Sequence, residues 1–224
     1  GAEPEVPRLQ RRRLGPEIEP PLRSLVARLL GTHVDLGEFY RFAESSTMLS
    51  KLAGEFRGSK PPRFPTYFET LVNAIACQQL SLTVGIRLLN RLAQAYGPVV
   101  QTREGSFYAF PRPEDLVDVD VEELRGLGYS YQKGRYLLNL ARVIMDQHFN
   151  PDDINTRSDH AALERFCSIK GVGRWTAEYF LLRGLGRTHI FPGDDVGARR
   201  MPDFGLGIEP AVTGGNEGLL DVPD

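Results

Sequence analysis

Apolar residues recur at helical spacing along most of this chain, and this pattern limits the folds that it can adopt. Before Gly31 the pattern is formed by Leu22, Leu25, Val26, Leu29 and Leu30. Such spacing predicts an amphipathic helix, and the glycine predicts its end. Similar patterns predict long helices near 36–43, 48–56, 65–76, 82–96 and 130–148, and short ones near 113–117 and 121–124. No convincing alternating stretch occurs before Thr188, so we predict an all-α fold.

Composition limits the function classes open to the chain. Its 224 residues suffice for one domain or two small lobes. The two cysteines, Cys77 and Cys167, cannot build a disulfide scaffold, an all-cysteine zinc site or a four-cysteine iron–sulfur cluster. No apolar run has the roughly 20 residues of a membrane span, and no secretory signal opens the chain. We therefore expect a cytoplasmic protein without a membrane partner.

Charge argues mildly against nucleic-acid binding, since the formal net charge is −2. A protein of this charge needs localised rather than bulk positive potential to bind a phosphate backbone. The basic run at 11–13 belongs to residues 1–13, which we predict to be a disordered basic tail. A solvated terminal arm explains this run better than phosphate contact.

The most informative stretch is a tight turn, Ile169–Gly173, between two apolar helical patterns. Its two glycines permit backbone conformations and close approaches that other residues resist. The helix that starts at Gly173 presents unpaired amides and the positive end of its dipole, both suited to an oxyanion. A hairpin of this kind can hold a DNA phosphate without a basic surface. The alternative is a plain turn between packed helices.

Aromatic and acidic residues follow the hairpin. Trp175, the single tryptophan, and Tyr179 are one helical turn apart and can share a face. Asp194 and Asp195 then open another apparent helix. Paired aromatics can stack on an extruded base, and a carboxylate can stabilise a cationic sugar. The alternatives are that the two rings are core residues and that Asp194 is a helix cap.

The sequence resembles the helix-hairpin-helix DNA glycosylase superfamily, and within it the 3-methyladenine DNA glycosylase II branch. The resemblance covers roughly residues 14–200 and rests on two blocks, 63–92 with VNAIACQQLS and 163–200 with IKGVGRWTAEYF and PGDD. The intervening LRGLGYSYQKGRYLLNLA is also similar to the family.

The resemblance implies two helical lobes around a DNA-binding cleft. One lobe is 63–187, with the helix-hairpin-helix at 163–184; the other is 14–62 together with 188–224, and the branch's amino-terminal β domain is absent. Residues 201–224 contain no tryptophan and little helical periodicity where the family continues with helices. This departure indicates either a compact member or a truncated or divergent end.

The resemblance also implies the chemistry. Asp195 matches the catalytic carboxylate, which stabilises an oxocarbenium-like sugar, and Trp175 with Tyr179 would line the base pocket. Lyase relatives carry a nucleophilic lysine where this sequence has Trp175, so we expect a monofunctional glycosylase that excises alkylated purines in base excision repair. The rival hypotheses are a non-catalytic, structure-selective DNA-binding protein and, less favoured, a helical scaffold with a purely structural hairpin.

DNA contacts follow from the same match. Gln79 or Leu80 would fill the gap left by the flipped base, with Ser81 capping the next helix, although Leu80 could merely support that helix. The expected hairpin contacts are Ile169, Lys170, Gly171, Val172, Gly173 and Arg174. For Lys133 and Arg135 two interpretations stay open, contact with the DNA backbone or an ordinary solvated face.

Cofactors and partners complete the expectations. Catalysis would need no metal or cofactor, while the carbonyls of Ile169 and Val172 could hold a structural Na⁺ or K⁺. The partner would be double-stranded DNA containing damaged bases, bound by a monomer. We expect a nucleoid-associated bacterial protein, or a nuclear one if the source is eukaryotic, with a bacterial source favoured.

Overall fold

The structure, a computed structural model, describes residues 15–146 and 149–195. The helices in this part of the chain are α1 (Glu19–Leu30), α2 (Gly37–Ala43), α3 (Thr47–Glu55), α4 (Tyr67–Cys77), α5 (Leu82–Tyr96), α6 (Val121–Gly126), α7 (Tyr131–Met145), α8 (Asp159–Cys167) and α9 (Arg174–Phe180). Short 3₁₀ turns occupy Pro113–Asp115 and Pro151–Ile154, and α9 continues into a π-helical turn, Leu181–Leu185. The predicted tail at 1–13 and the predicted lobe residues 196–224 lie outside the described residues.

Local signals explain where the helices begin and end. Ser81 accepts a hydrogen bond from the Val84 amide, so the predicted cap of α5 is confirmed. The same capping occurs at α3, α4, α7 and α8 through Ser46, Thr66, Ser130 and Ser158. Helix α1 ends at Gly31, whose φ of 60° is the left-handed conformation that glycine tolerates. Among the described residues the α-helical predictions are confirmed, with small shifts at the ends, except that the short helix expected near 113–117 is a 3₁₀ turn at Pro113–Asp115.

The core is centred on α4, which packs against α5, α7 and α9. Its sequence YFETLVNAIAC buries seven of eleven residues, because it is apolar on almost every side. Phe166 of α8 and Phe180 of α9 pack as a tilted pair, with 4.4 Å between ring centroids, and close the core on the side of the hairpin. The hairpin is thus mounted on the most buried part of the fold.

One element was not predicted, an antiparallel pair of strands, β1 (Val99–Thr102) and β2 (Gly105–Tyr108). All eight strand residues are exposed, so neither face of the ribbon carries the apolar alternation that identifies a half-buried strand. The turn relies on Gly105, whose φ is 133°. The described part of the chain remains mainly helical, as predicted.

Helices α1 to α3 are built differently from the rest. Ala43 is their single buried residue, and their large apolar side chains are exposed at Ile18, Leu22, Val26, Leu30, Phe39, Phe42 and Phe56. Arg28 of α1 joins them to the other helices by donating to the Gly184 carbonyl. Arg63 donates to the same carbonyl through its side chain and to the Leu29 carbonyl of α1 through its backbone amide. The Gly184 carbonyl belongs to the π-helical turn, where the backbone ladder is locally rearranged. The assignment of 14–62 and 188–224 to one lobe stays a prediction.

No helix in the described ranges is long and apolar enough to cross a membrane.

Candidate functional site

The hairpin joins α8 to α9 through residues 168–173. Ile169 and Val172 are 5% and 4% exposed, and the Val172 amide donates to the Ile169 carbonyl at 3.0 Å. Lys170, between these two buried residues, and Gly173, directly after them, are exposed. The apolar side chains therefore hold the turn in the core, and its backbone and the Lys170 side chain face outward.

The two hairpin glycines serve different purposes. Gly171 has a φ of 98°, and a Cβ there would lie 2.3 Å from Cγ of Tyr136. Both the backbone conformation and the close approach thus require glycine. Gly173 has φ −91°, and a Cβ there would meet no atom within 4 Å. The space beside Gly173 is open at the N-terminus of α9, where a phosphate could approach unpaired amides.

Trp175 and Asp195 are in direct contact. The indole Nε1 of Trp175 donates to Oδ2 of Asp195 at 3.1 Å. Both residues are partly buried, and the Asp195 amide donates to the Pro192 carbonyl at 3.0 Å in a turn. The predicted wall residue and the predicted catalytic carboxylate therefore lie at one point, and the indole fixes one carboxylate oxygen.

Trp175 and Tyr179 form one aromatic wall. Their ring centroids are 5.3 Å apart with 30° between the planes, the spacing of rings already in mutual contact. Because the two rings are this close, a base cannot lie between them. The expectation that the two rings share a face is confirmed; their role as a base pocket stays a prediction.

The far side of Tyr179 is fixed by residues that the sequence analysis did not identify. Its hydroxyl donates to Oδ1 of Asn73 on α4 at 3.0 Å. The Arg183 guanidinium lies over its ring at 5.5 Å from the centroid. Burial raises the pKa of Tyr179; nearby Arg183 opposes this, while the charge of Asp195 adds to it. The tyrosine is thus a neutral hydrogen-bond donor held in one orientation.

The segment that carries Asp195 is anchored by an ion pair. The Arg187 guanidinium binds Asp159 at the start of α8 and also donates to the carbonyls of Ile154 and Arg157. His189 Nε2 lies 2.7 Å from the other oxygen of Asp159. These contacts, together with buried Ile190, fix the chain just before it reaches the Trp175 indole.

Asp194 and Arg174 lie near each other beside this segment. Arg174 donates through Nε to Glu178, at 2.7 Å, and Glu178 is 3% exposed. That hydrogen bond, with the negative charges of Glu178 and Asp194, raises the pKa of Arg174. Arg174 therefore neutralises a buried carboxylate, and its predicted DNA contact stays a prediction. The helix that Asp194 was expected to cap lies outside the described residues.

The segment Gln78–Leu80, here called the wedge loop, joins α4 to α5. Gln79 is exposed, and Leu80 is 41% exposed. Gln78 is turned inward, and its Nε2 donates to Oγ1 of Thr176 at 2.8 Å. Because Thr176 is adjacent to Trp175, the wedge loop lies beside the aromatic wall with two side chains presented outward.

Lys133 does not lie on an ordinary solvated face, and its contact with the DNA backbone stays a prediction. Its Nζ lies 2.8 Å from the Ala76 carbonyl oxygen and 2.6 Å from that of Gln78. Burial lowers its pKa, partly offset by the charge of Cys77. Arg135, two residues on, is exposed, and its guanidinium lies over the Tyr131 ring. The two cations thus have unrelated surroundings.

The structure brings together nearly all the predicted site residues: the wedge loop, the hairpin, the aromatic wall and Asp195. It adds Asn73 and Thr176, for which the sequence offers no signal, since each acts through a partner more than 90 positions away. It also gives Lys133 two backbone partners that the sequence did not indicate. Among the described residues, no group of three or more His, Cys, Asp and Glu side chains could hold a metal ion.

The chain matches a family model described as HhH-GPD superfamily base excision DNA repair protein, over residues 72–203. The match covers more than half of the chain. The chain belongs to the HhH-GPD superfamily. The matched range contains the wedge loop, the hairpin, the aromatic wall and Asp195.

Known members of the HhH-GPD superfamily are similar to the chain over most of its length. DNA-3-methyladenine glycosylase 2 of Escherichia coli is 30% identical over 167 residues, which are 73% of this chain and 56% of that protein. The chain spans 54% to 65% of the length of four such relatives. Their names agree with the resemblance read from the sequence.

Solved structures agree as well. The 3-methyladenine DNA glycosylase of Archaeoglobus fulgidus superposes with a TM-score of 0.72 at 30% identity, covering 84% of this chain and 63% of that one. The 3-methyladenine DNA glycosylase of Schizosaccharomyces pombe, solved with abasic DNA, has a TM-score of 0.54 at 28% identity, covering 79% and 77%.

Proposed function

We propose that this chain is a monofunctional DNA glycosylase that flips and excises alkylated purines of the 3-methyladenine type. The observation that carries the proposal is the hydrogen bond from Trp175 Nε1 to Asp195. This hydrogen bond joins a stacking surface and an oriented carboxylate at one point. Trp175 itself occupies the position after the hairpin where lyase relatives carry a lysine. The relatives' names supply the class of base.

The reaction needs little beyond this arrangement. The extruded purine stacks on the Trp175–Tyr179 wall, where alkylation has given its ring a positive charge and made it a good leaving group. The bond from C1′ to the base nitrogen breaks with its electron pair moving to the base. Asp195 stabilises the resulting sugar cation, water adds its oxygen to C1′, and the proton leaves to solvent. The products are a free base and an abasic site.

The partner is double-stranded DNA, bound by a monomer. The hairpin holds a backbone phosphate at the open side of Gly173, and Gln79 or Leu80 fills the space vacated by the base. Lys170 lies exposed in the same turn and adds a positive charge there. Phosphate binding through backbone amides suits a chain whose net charge is −2.

The hairpin also suits a monovalent cation. The Ile169 carbonyl accepts one hydrogen bond, from Val172, and a carbonyl oxygen has a second lone pair for a ligand. A bound Na⁺ or K⁺ held by the carbonyls of Ile169 and Val172 would supply positive charge facing the phosphate. The chemical steps at Asp195 do not involve it.

The test is base release under single-turnover conditions from duplexes with 3-methyladenine, 7-methylguanine, hypoxanthine or ethenoadenine. We expect release of the methylated purines, and a loss of at least about a hundredfold in Asp195→Asn, since charge stabilisation of the transition state is removed at nearly constant shape. Absence of release by the wild type would refute the glycosylase function and favour the non-catalytic DNA-binding alternative, whereas equal release by the variant would refute the role of Asp195.

A further inference from the structure

The wedge loop is held in a conformation that its own sequence does not favour. Gln79 has φ 55°, and it is the single non-glycine residue with positive φ among the described residues. A residue with a side chain stays in this region only where its surroundings impose it. The ends of the loop do not suffice, since its remaining local hydrogen bonds, from Gln78 to Ile75 and from Leu80 to Cys77, are 3.4 and 3.3 Å long.

Lys133 supplies the missing constraint. Its ammonium donates to the carbonyls of Ala76, in the last turn of α4, and of Gln78, in the loop itself. The carbonyls at the end of a helix lack intrahelical partners, and the negative end of the helix dipole favours a cation there. Two short charge-assisted hydrogen bonds therefore connect the end of α4 to the residue before Gln79.

The position of Lys133 in α7 does not favour a positive charge. Lys133 lies in the first turn of α7, three residues after the Ser130 cap, where a positive charge opposes the helix dipole. The cation is therefore unfavourable for α7 and favourable for α4. Its contribution is to the wedge loop rather than to the helix that carries it.

A second contact fixes the loop to the aromatic wall. Gln78 donates its side-chain amide to Thr176, which is 1% exposed and adjacent to Trp175. The backbone of Gln78 is thus bound by Lys133 while its side chain is bound to α9. Gln79 and Leu80 remain free to point away from the protein, at a fixed distance from the wall.

We propose that Lys133 is a positioning residue for base flipping: it preorganises the wedge loop so that Gln79 or Leu80 enters the duplex without first having to be ordered. This proposal rests on the glycosylase function proposed above. Ordering the loop before DNA binds removes an entropic cost from the flipping step. Lys133 acts through the loop and does not contact the reacting atoms.

The first test uses the protein without DNA. Hydrogen exchange of the amides of residues 78–80 is measured in the wild type, in Lys133→Met and in Arg135→Met. Lys133→Met keeps the aliphatic stem and removes the donors, whereas Arg135→Met removes a neighbouring exposed charge that does not contact the loop. We expect on the order of tenfold faster exchange in Lys133→Met alone. Equal exchange in all three proteins would overturn the proposal.

The second test follows flipping by stopped flow, with 2-aminopurine beside a 7-methylguanine in a duplex. We expect the unstacking step to be on the order of tenfold slower in Lys133→Met, with the salt dependence of binding unchanged. Thr176→Val, which removes the other contact of Gln78, should slow the same step. A salt slope reduced by about one would instead identify Lys133 as a phosphate ligand and overturn the proposal.

The two proposals fail differently. A wild type that produces no fluorescence change on the methylated duplex contradicts the glycosylase function. A wild type that flips the base, together with a Lys133→Met variant that flips it equally fast, contradicts the role of Lys133 alone.

Discussion

The hydrogen bond between Trp175 and Asp195 makes a quantitative prediction. Trp175→Phe keeps an aromatic ring in the wall but removes the donor that lies 3.1 Å from Oδ2. A hydrogen bond to a charged acceptor contributes about 1.5–3 kcal/mol. Both residues are partly exposed, so water compensates in part and the lower end of this range applies. About 1.5–2 kcal/mol corresponds to a roughly 10- to 30-fold slower chemical step.

The sign of this effect has a physical basis. The indole donor withdraws some charge from the carboxylate, and its removal alone would make Asp195 a slightly better partner for the sugar cation. The same donor also fixes the carboxylate position, and a misplaced charge loses more transition-state stabilisation than a slightly weakened one. We therefore expect loss of rate, measured as single-turnover release of 3-methyladenine from methylated duplex DNA.

Tyr179→Phe is the matched control. It removes one donor from the same wall, but that hydroxyl binds Asn73 rather than Asp195. Its rate should change much less than that of Trp175→Phe. In the Asp195→Asn background, Trp175→Phe should cost far less than in the wild type, because the acceptor charge is gone. An unchanged or faster rate in Trp175→Phe, or equal losses in both aromatic variants, would refute the assigned role of the indole.

Two further predictions concern the hairpin and its anchor. Gly171→Ala should lower the melting temperature, because the φ of Gly171 is 98° and Tyr136 occupies the position of the new Cβ. Gly173→Ala should leave the melting temperature unchanged but weaken DNA binding at the open side. Equal melting temperatures of the two variants would contradict this prediction. Burial by itself would raise the pKa of Asp159, but the hydrogen bonds from His189 and Arg187 have the larger combined effect, so its pKa is lowered. The wild type should therefore have a larger free energy of unfolding than Asp159→Asn, and this difference should be fully present above the ordinary aspartate pKa of about 3.9. It should disappear as the pH falls through the lower pKa of Asp159 in the folded state. Urea titrations at several pH values measure the difference, and a difference independent of pH would contradict the prediction.

Much of the fold follows from local rules that a single sequence contains. The end of α1 at Gly31 and the start of α5 after Ser81 depend on residues within one turn of the boundary. The ribbon β1–β2 was missed because all its side chains are exposed, so burial left no periodic pattern to detect. Prediction succeeds here where apolar residues recur at helical spacing, even in helix α1, which buries no residue, and fails where a strand shows no alternation.

The site divides in the same way. Trp175 and Tyr179 are four positions apart on one helix, so their contact follows from helical geometry alone. Lys133 was open to two interpretations because its partners, the carbonyls near the end of α4, are backbone atoms more than 50 positions away. Backbone acceptors have no sequence signature, and only the packing of α7 against α4 identifies them.

Several arginines of this chain, whose net charge is −2, have hydrogen-bond partners within the fold. Arg28 and Arg63 both bind the Gly184 carbonyl, Arg187 binds Asp159, and Arg174 binds buried Glu178. These cations join elements of the fold around the site, so they contribute little free charge to the surface. In the proposed function, backbone amides at the hairpin, which carry no formal charge, would contribute to phosphate binding together with exposed cations such as Lys170. Specific binding would accordingly depend on the precision with which the wedge loop and Asp195 are held, and that precision is what the internal cations provide.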